Sequence, residues 1–407
     1  MRRTQWMSAA VAAGLAVSLV ACSSGGDAGS GDGQKLTMLI GSSGDAETSA
    51  VQAAADAWGA ETGNTVEVIA ASDLNQQLGQ GFSGNNPPDL FYMGWDQFQT
   101  YASNGYLEPY GDSLSNADQF YPALKDAFTY DGKFYCAPKD FSTLGLIINT
   151  DMWAAAGLTD ADIPTDWDGL TAVATKLTTA DTVGLSFGQE YARIGVFMNQ
   201  AGGKLVDGDK ITADDQKNAD GLAYVQSLIS AGVLKFPPQL EAGWGGEAFG
   251  LGKAAMVIEG PWINGALKND FPDVKYVAAE LPAGPGGPST FTFSNCWGIP
   301  VGSPTLDVTK SLVEYLTTDE QQLAFSEAFG VIPSTQSGAS AYAEKFPNNA
   351  SFVAGNDYAV SPVAFAGASA VLGDFNASLE GLATADPKAL LGTLQTNLDA
   401  ALMKANG

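Results

Sequence analysis

Residues 36–93 read LTMLIGSSGDAETSAVQAAADAWGAETGNTVEVIAASDLNQQLGQGFSGNNPPDLFYM. Residues 36–40 (LTMLI) form a short apolar run, which reads as a buried strand. It stops at the turn Gly41-Ser42-Ser43-Gly44. From Glu47 to Thr62 the apolar residues fall at helical spacing, with Val51, Ala54, Ala55 and Trp58 on one face, and Gly63 ends the run. Residues 66–69 make a second strand. Ser72 or Asp73 caps a second helix through Leu74 and Leu78. Pro87-Pro88 breaks the chain before a third strand at 89–93. Strand, helix, strand, helix, strand at this spacing predicts an α/β fold with a parallel sheet.

Downstream, residues 135–149 (YCAPKDFSTLGLIIN) are extended and apolar, and a helix-rich middle follows. A helix over 166–177 opens on Thr165-Asp166. Another stops at Gly202-Gly203, and 214–230 is amphipathic. Residues 252–258 (GKAAMVI) read as a small-residue turn entering a buried strand. Residues 282–288 are a Pro/Gly loop, 290–301 are extended again, and helices fill much of 311–329 and 387–406. The two extended stretches, 135–148 and 290–301, are candidates for strands that cross between two α/β lobes.

The first residues stand apart from this pattern. Arg2 and Arg3 precede an apolar run at 7–21 that is short for a membrane-spanning helix, and it ends in Leu19-Val20-Ala21-Cys22 before a Ser/Gly/Asp tract. That order is similar to a bacterial lipoprotein signal, whose cysteine is acylated and becomes the mature N-terminus. The expected layout is a signal peptide over 1–21 and a tether over 22–34, with attachment to the membrane by lipid alone.

Composition removes whole function classes. Lys and Arg number 19 against 45 Asp and Glu, and this acidic balance argues against nucleic acid as a partner. There is no histidine, which removes the commonest general base and metal ligand. No cofactor and no metal are expected. With Cys22 committed to lipid, Cys136 and Cys296 remain; in an exported protein they most simply form one disulfide, two buried thiols being the alternative.

The order of motifs resembles the maltose-binding type of extracellular solute-binding protein, family 1. The residues that carry it are Gly44-Asp45, then residues 88–92 (PDLFY), 95–98 (WDQF) and 105–107 (GYL). The segment 135–149, the string 252–262 (GKAAMVIEGPW), 314–324 (EYLTTDEQQLA) and 330–334 (GVIPS) complete the set. The string 252–262 is the most specific. The resemblance implies a two-lobe, periplasmic-binding-protein-like (type II) α/β fold with hinge crossovers and a cleft between the lobes. Residues 35–138 with 296–332 would form one lobe, and 139–295 with 333–407 the other. It implies a monomer, not an enzyme, that binds carbohydrate in the cleft and delivers it to the permease of an ABC transporter at the outer face of the cell membrane.

A sugar offers apolar faces and a rim of hydroxyls, so its site needs aromatic plates and charged or amide groups. The candidate plates are Trp95, Trp244, Trp262 and Trp297, with Trp58, Trp153 and Trp167 read as structural. The candidate polar groups are Asp45, Asp96, Gln97, Lys139, Asp140, Glu190 with Tyr191 beside it, Glu259 and Asn295. Each has a plainer reading: Asp45 as a helix cap, Lys139-Asp140 as a hinge ion pair, Glu259 as hinge support, Trp297 as packing under the hinge. A peptide or polyamine as cargo, and a glycoside hydrolase using two of the carboxylates, are the competing readings.

Overall fold

The computed structural model describes residues 33–208 and 210–405; the leader, Cys22 and most of the tether lie outside the described residues. The chain begins with β1 (Lys35–Ile40), α1 (Asp45–Thr62), β2 (Thr65–Ala70), α2 (Leu74–Ser83), β3 (Leu90–Gly94) and α3 (Trp95–Ser103). β1 pairs in parallel with both β2 and β3, as the first stretch of sequence predicts. Local chemistry sets the ends. Asp73 caps α2 by accepting from Gln76 N at 2.9 Å, and Gly63 closes α1 at φ 78°, a left-handed conformation that favours glycine.

The chain then crosses to a second lobe through residues 135–141. There it builds β4 (Ser142–Thr143), β5 (Gly145–Asn149), α4 (Trp167–Leu177), β6 (Val183–Ser186), α5 (Tyr191–Gln200), α6 (Gln216–Ser230), α7 (Gly245–Gly250), β7 (Ala254–Glu259), α8 (Ile263–Asp270) and β8 (Tyr276–Ala279). The second sheet runs β8-β5-β7-β6. Every residue of β7 is buried, as expected of an apolar run covered on both faces. Asp166 caps α4 through Gly169 N at 2.8 Å.

The chain returns through β9 (Thr290–Phe293) and β10 (Asn295–Gly298), and β10 joins the first sheet antiparallel to β3. Two helices, α9 (Leu306–Leu316) and α10 (Asp319–Phe329), complete that lobe. A third passage at 330–334 leads back to the second lobe, where α11 (Ala368–Leu379) and α12 (Pro387–Ala405) pack. Each lobe has its own core. Met38, Ile40, Trp58, Phe91 and Phe98 centre the first; Ile148, Leu185, Ile194, Leu222 and Leu394 centre the second.

The three passages lie side by side. Lys139 N donates to Asn295 O at 2.7 Å, and Trp297 N donates to Ala137 O at 2.9 Å. Phe141 and Ile332 exchange backbone hydrogen bonds at 2.9 and 3.2 Å, and Ser334 Oγ donates to Pro138 O at 2.6 Å. Cys136 and Cys296 are joined in a disulfide that ties the first passage to the second, closing a separation of 160 residues with both cysteines buried. Long closed loops gain most from such a link. The double variant Cys136→Ala, Cys296→Ala is therefore expected to lose about 2–5 kcal/mol of unfolding free energy in denaturant titration. A loss below about 1 kcal/mol would mean that the backbone pairing alone holds the passages together.

Candidate functional site

The strands β1 and β3 end at the gap between the lobes, so the first turns of α1 and α3 face it. From the other lobe, β7 ends there and delivers Glu259-Gly260-Pro261-Trp262. Three adjoining cavities lie here, two in the gap and a third on the second lobe beside it. The first, about 280 Å³, is lined by Trp95, Lys139, Asp140, Trp262, Phe293 and Asn295, among others. The second, about 530 Å³, holds Asp45, Trp244, Trp262 and Asp270. The third, also about 530 Å³, holds Glu190, Arg193, Trp244, Glu259 and Asn376.

The aromatic surface spans both lobes. Phe293, on the second passage, stands 6.2 Å from Trp95 of the first lobe and 6.3 Å from Trp262 of the second, centroid to centroid. Two of the plates rest on glycine. A Cβ on Gly260 would come within 2.1 Å of the Trp262 ring, and one on Gly246 within 2.1 Å of the Trp244 ring. Gly-Pro-Trp and Trp-Gly-Gly thus let a flat indole lie directly on backbone.

Two ion clusters flank the plates. In the first, Lys139 Nζ pairs with Glu47 Oε1 at 3.2 Å and with Asp140, and lies 4.6 Å from the Tyr92 ring centroid and 5.1 Å from that of Phe329. Glu47 also accepts from Tyr92 Oη at 3.0 Å and from Ser43 N and Oγ, both at 2.7 Å. Burial pushes Asp140 above the usual carboxylate range; Lys139 opposes this and Glu47 adds to it. Burial also raises Glu47, but the Lys139 charge and the bonds from Ser43 and Tyr92 outweigh it, and its pKa falls below the ordinary value. One ammonium serves two carboxylates, and the better hydrogen-bonded one keeps its charge more firmly.

In the second cluster Arg193 donates to Glu259 Oε2 at 2.6 Å and pairs with Glu190 at 2.9 Å, with its guanidinium 5.4 Å from the Trp262 ring centroid. Trp262 Nε1 donates to the same Glu259 oxygen at 3.1 Å. The Trp262 ring is thus fixed by a hydrogen bond at its edge and a cation at its face. Burial raises the pKa of Glu190, Arg193 lowers it, and Glu259 raises it further.

The expected site residues divide. Asp45, Trp95, Lys139, Asp140, Glu190, Trp244, Glu259, Trp262 and Asn295 line the cavities. Asp45 is the first residue of α1, which Gly44 precedes as cap, so its charge faces the positive helix end without capping it. Two expectations need correction. Trp297 is fully buried: β10 sets it opposite Tyr92, and the ring packs 5.0 Å from that phenol inside the first lobe. Tyr191 is buried against Phe291 at 5.2 Å, in the core of the second lobe. Asp96 and Gln97 stand outside the cavities; Gln97 Nε2 donates to Asp96 at 3.1 Å and to Ser369 Oγ, on α11 of the other lobe, at 3.0 Å.

Comparison with known proteins agrees with this architecture. The family model described as bacterial extracellular solute-binding protein matches residues 53–354. The chain belongs to that family. The diacetylchitobiose binding protein of Streptomyces coelicolor is 25% identical over 350 residues, covering 80% of each chain. The maltooligosaccharide ABC transporter solute-binding lipoprotein of Streptococcus pneumoniae is 26% identical over 353 residues, covering 80% of this chain and 79% of its own. Among solved structures, an ABC substrate-binding protein of Listeria monocytogenes, in complex with cycloalternan, superposes with a TM-score of 0.81 at 20% identity, covering 91% of this chain and all of the other. These neighbours share the two-lobe α/β fold, and the family consists of binding proteins rather than enzymes.

Four residues of this candidate site escaped the sequence reading: Glu47, Arg193, Phe293 and Phe329. Arg193 carries a signal, being the only arginine beyond Arg3. Glu47 follows Asp45 in the same helical turn, and Phe293 stands two residues before Asn295. Nothing local marks Phe329. Among the described residues no group of His, Cys, Asp and Glu is arranged to hold a metal ion, and no helix is long and apolar enough to cross a membrane.

The first ion cluster makes a direct forecast. Lys139→Met leaves Glu47 and Asp140 buried without a cation, at an expected cost of about 3–5 kcal/mol at neutral pH. Asp140 has a raised folded-state pKa, so its favourable contribution is complete below its unfolded pKa and is lost as pH rises through the folded one. The deficit of the variant against the parent should therefore shrink on going from neutral pH to about pH 4. Denaturant unfolding of both proteins across that range tests this, and an unchanged deficit would reject uncompensated charge as the cause.

Proposed function

We propose that this chain is the cargo-binding component of an ABC importer and that it holds an oligosaccharide between its lobes. The observation that carries the reading is the aromatic surface Trp95–Phe293–Trp262, with Trp244 beyond it, set among carboxylates. Pyranose faces stack on such plates, and hydroxyl rims take the carboxylate and amide groups between them. Asp45, Asp140, Glu190, Glu259 and Asn295 order the hydroxyls, and no covalent step occurs. The sugar ligands named for its relatives in Streptomyces and Streptococcus support this reading, and the extent of the cavities suits more than one sugar ring. The protein is tethered to the outer face of the cell membrane through lipid on Cys22, acts as a monomer, and presents its closed form to the permease.

A thermal-shift screen across mono- and oligosaccharides, with amino acids and peptides as controls, tests the cargo. Stabilisation by a sugar recovered intact is the expected result; recovery of cleaved sugar would favour a hydrolase, and response to peptides alone would overturn the reading. Trp262→Ala should bind the responding sugar more than roughly tenfold more weakly with little change in melting temperature. Unchanged affinity would remove Trp262 from the site.

A further inference from the structure

The cleft has more negative charge than it can neutralise internally. Seven acidic residues line its three cavities, against two basic ones, Lys139 and Arg193. Both cations are already paired with two carboxylates each. Lys139 is shared by Glu47 and Asp140, and Arg193 by Glu190 and Glu259. Each cluster therefore keeps one carboxylate in excess. The excess is directed. Asp140 is 5% exposed and Glu259 1% exposed. Asp140 binds Lys139 through Oδ2, and Glu259 binds Arg193 and Trp262 through Oε2. The second oxygen of each, Asp140 Oδ1 and Glu259 Oε1, accepts no hydrogen bond from the described residues, and both side chains line the cleft. Neither oxygen is among the fully buried unpaired atoms, so each opens onto the cleft, where water or a ligand can donate to it.

The donors left in the cleft are mostly neutral, indole N–H groups and amides such as Asn295 and Asn376; Arg193 Nε also has no partner, but the charge of its guanidinium is already shared by Glu190 and Glu259. A carboxylate or sulfate on the cargo would lose its hydration and meet only cations already shared between two carboxylates. An ammonium group would bring three donors and a charge opposite to that of the cleft. The net charge of −26 acts in the same direction at longer range.

We infer that the cleft selects its glycan by charge, refusing acidic sugars and holding a sugar with a free amine more tightly than the neutral sugar of the same linkage. The inference rests on the carbohydrate reading above and fails separately from it. The probes are two matched series. One comprises cellotriose, its 2-amino counterpart chitotriose and its C6-oxidised uronate. The other comprises maltotriose, its 6-amino-6-deoxy form and its uronate. Spermidine is the non-sugar control. Calorimetric titration is run at a pH that keeps the amines protonated and the carboxylates ionised, at low and at high ionic strength.

In the series whose neutral member binds, the amine should bind roughly fivefold or more tightly, an advantage that shrinks with salt, and the uronate roughly tenfold more weakly. Glu190→Gln should reduce the advantage of the amine over the neutral sugar, because the ratio of the two affinities reports charge rather than fit. Equal affinity for amine and neutral sugar, or a uronate that binds as well as either, overturns the inference while leaving the carbohydrate reading intact. A response to spermidine with none to any sugar overturns both.

Discussion

Lys139 Nζ sits where the first passage between the lobes meets the helix that follows β1, and it is held by two carboxylates from different parts of the chain. Much else depends on that contact. Glu47 belongs to the first turn of α1, so the ammonium fixes the mouth of the first lobe against the hinge. Asp140 is the next residue along the passage, and its backbone carbonyl accepts from Ser294 Oγ at 2.7 Å, which carries the constraint to the second passage. The neighbouring disulfide and the paired backbones make the hinge a small three-stranded unit. Burying three charges there is costly unless their geometry is good. The phenol of Tyr92 and the backbone N–H and hydroxyl of Ser43 provide the further hydrogen bonds that make it tolerable.

The second ion cluster does for a tryptophan what the first does for the hinge. Glu259 ends β7 inside the core, and Arg193 reaches it from α5, so the pair forms where the second sheet meets the gap. Trp262 is then oriented from its edge and its face by the protein itself. Rigid aromatic plates lower the entropy lost on binding. Placing glycine beneath two of them achieves the same end by a different route, since the indole rests on backbone that cannot change rotamer.

Much of this could be read from residue order because it depends on local chemistry. Asp73 and Asp166 are caps wherever they stand before an apolar-periodic run, and Gly63 stops a helix for reasons internal to its own backbone. The tryptophans were harder. Trp262 and Trp297 both follow small residues near strand ends, yet one lines the gap and the other is fully buried. The difference lies in β3, about two hundred residues earlier in the chain, which turns Trp297 inward. Tyr191 was misplaced for a similar reason: the helix presents Glu190 to the cleft and the next residue to the core. Arg193 was visible as a rarity, but its two partners were not, because they meet only once the sheet has formed.

The antiparallel pairing of β10 with β3 has a bearing on biogenesis. The first sheet lacks its edge strand, and α9 and α10 are absent, until the chain has been made through Phe329. The second lobe, in turn, draws α11 and α12 from the last forty residues or so. Neither lobe can finish folding as an autonomous early unit, since both close through contacts distant in sequence. A chain that emerges from a membrane N-terminus first would therefore stay open for most of its passage and acquire its native form only near the end. The cysteine pair, whose second member emerges 160 residues after the first, would record that late step covalently.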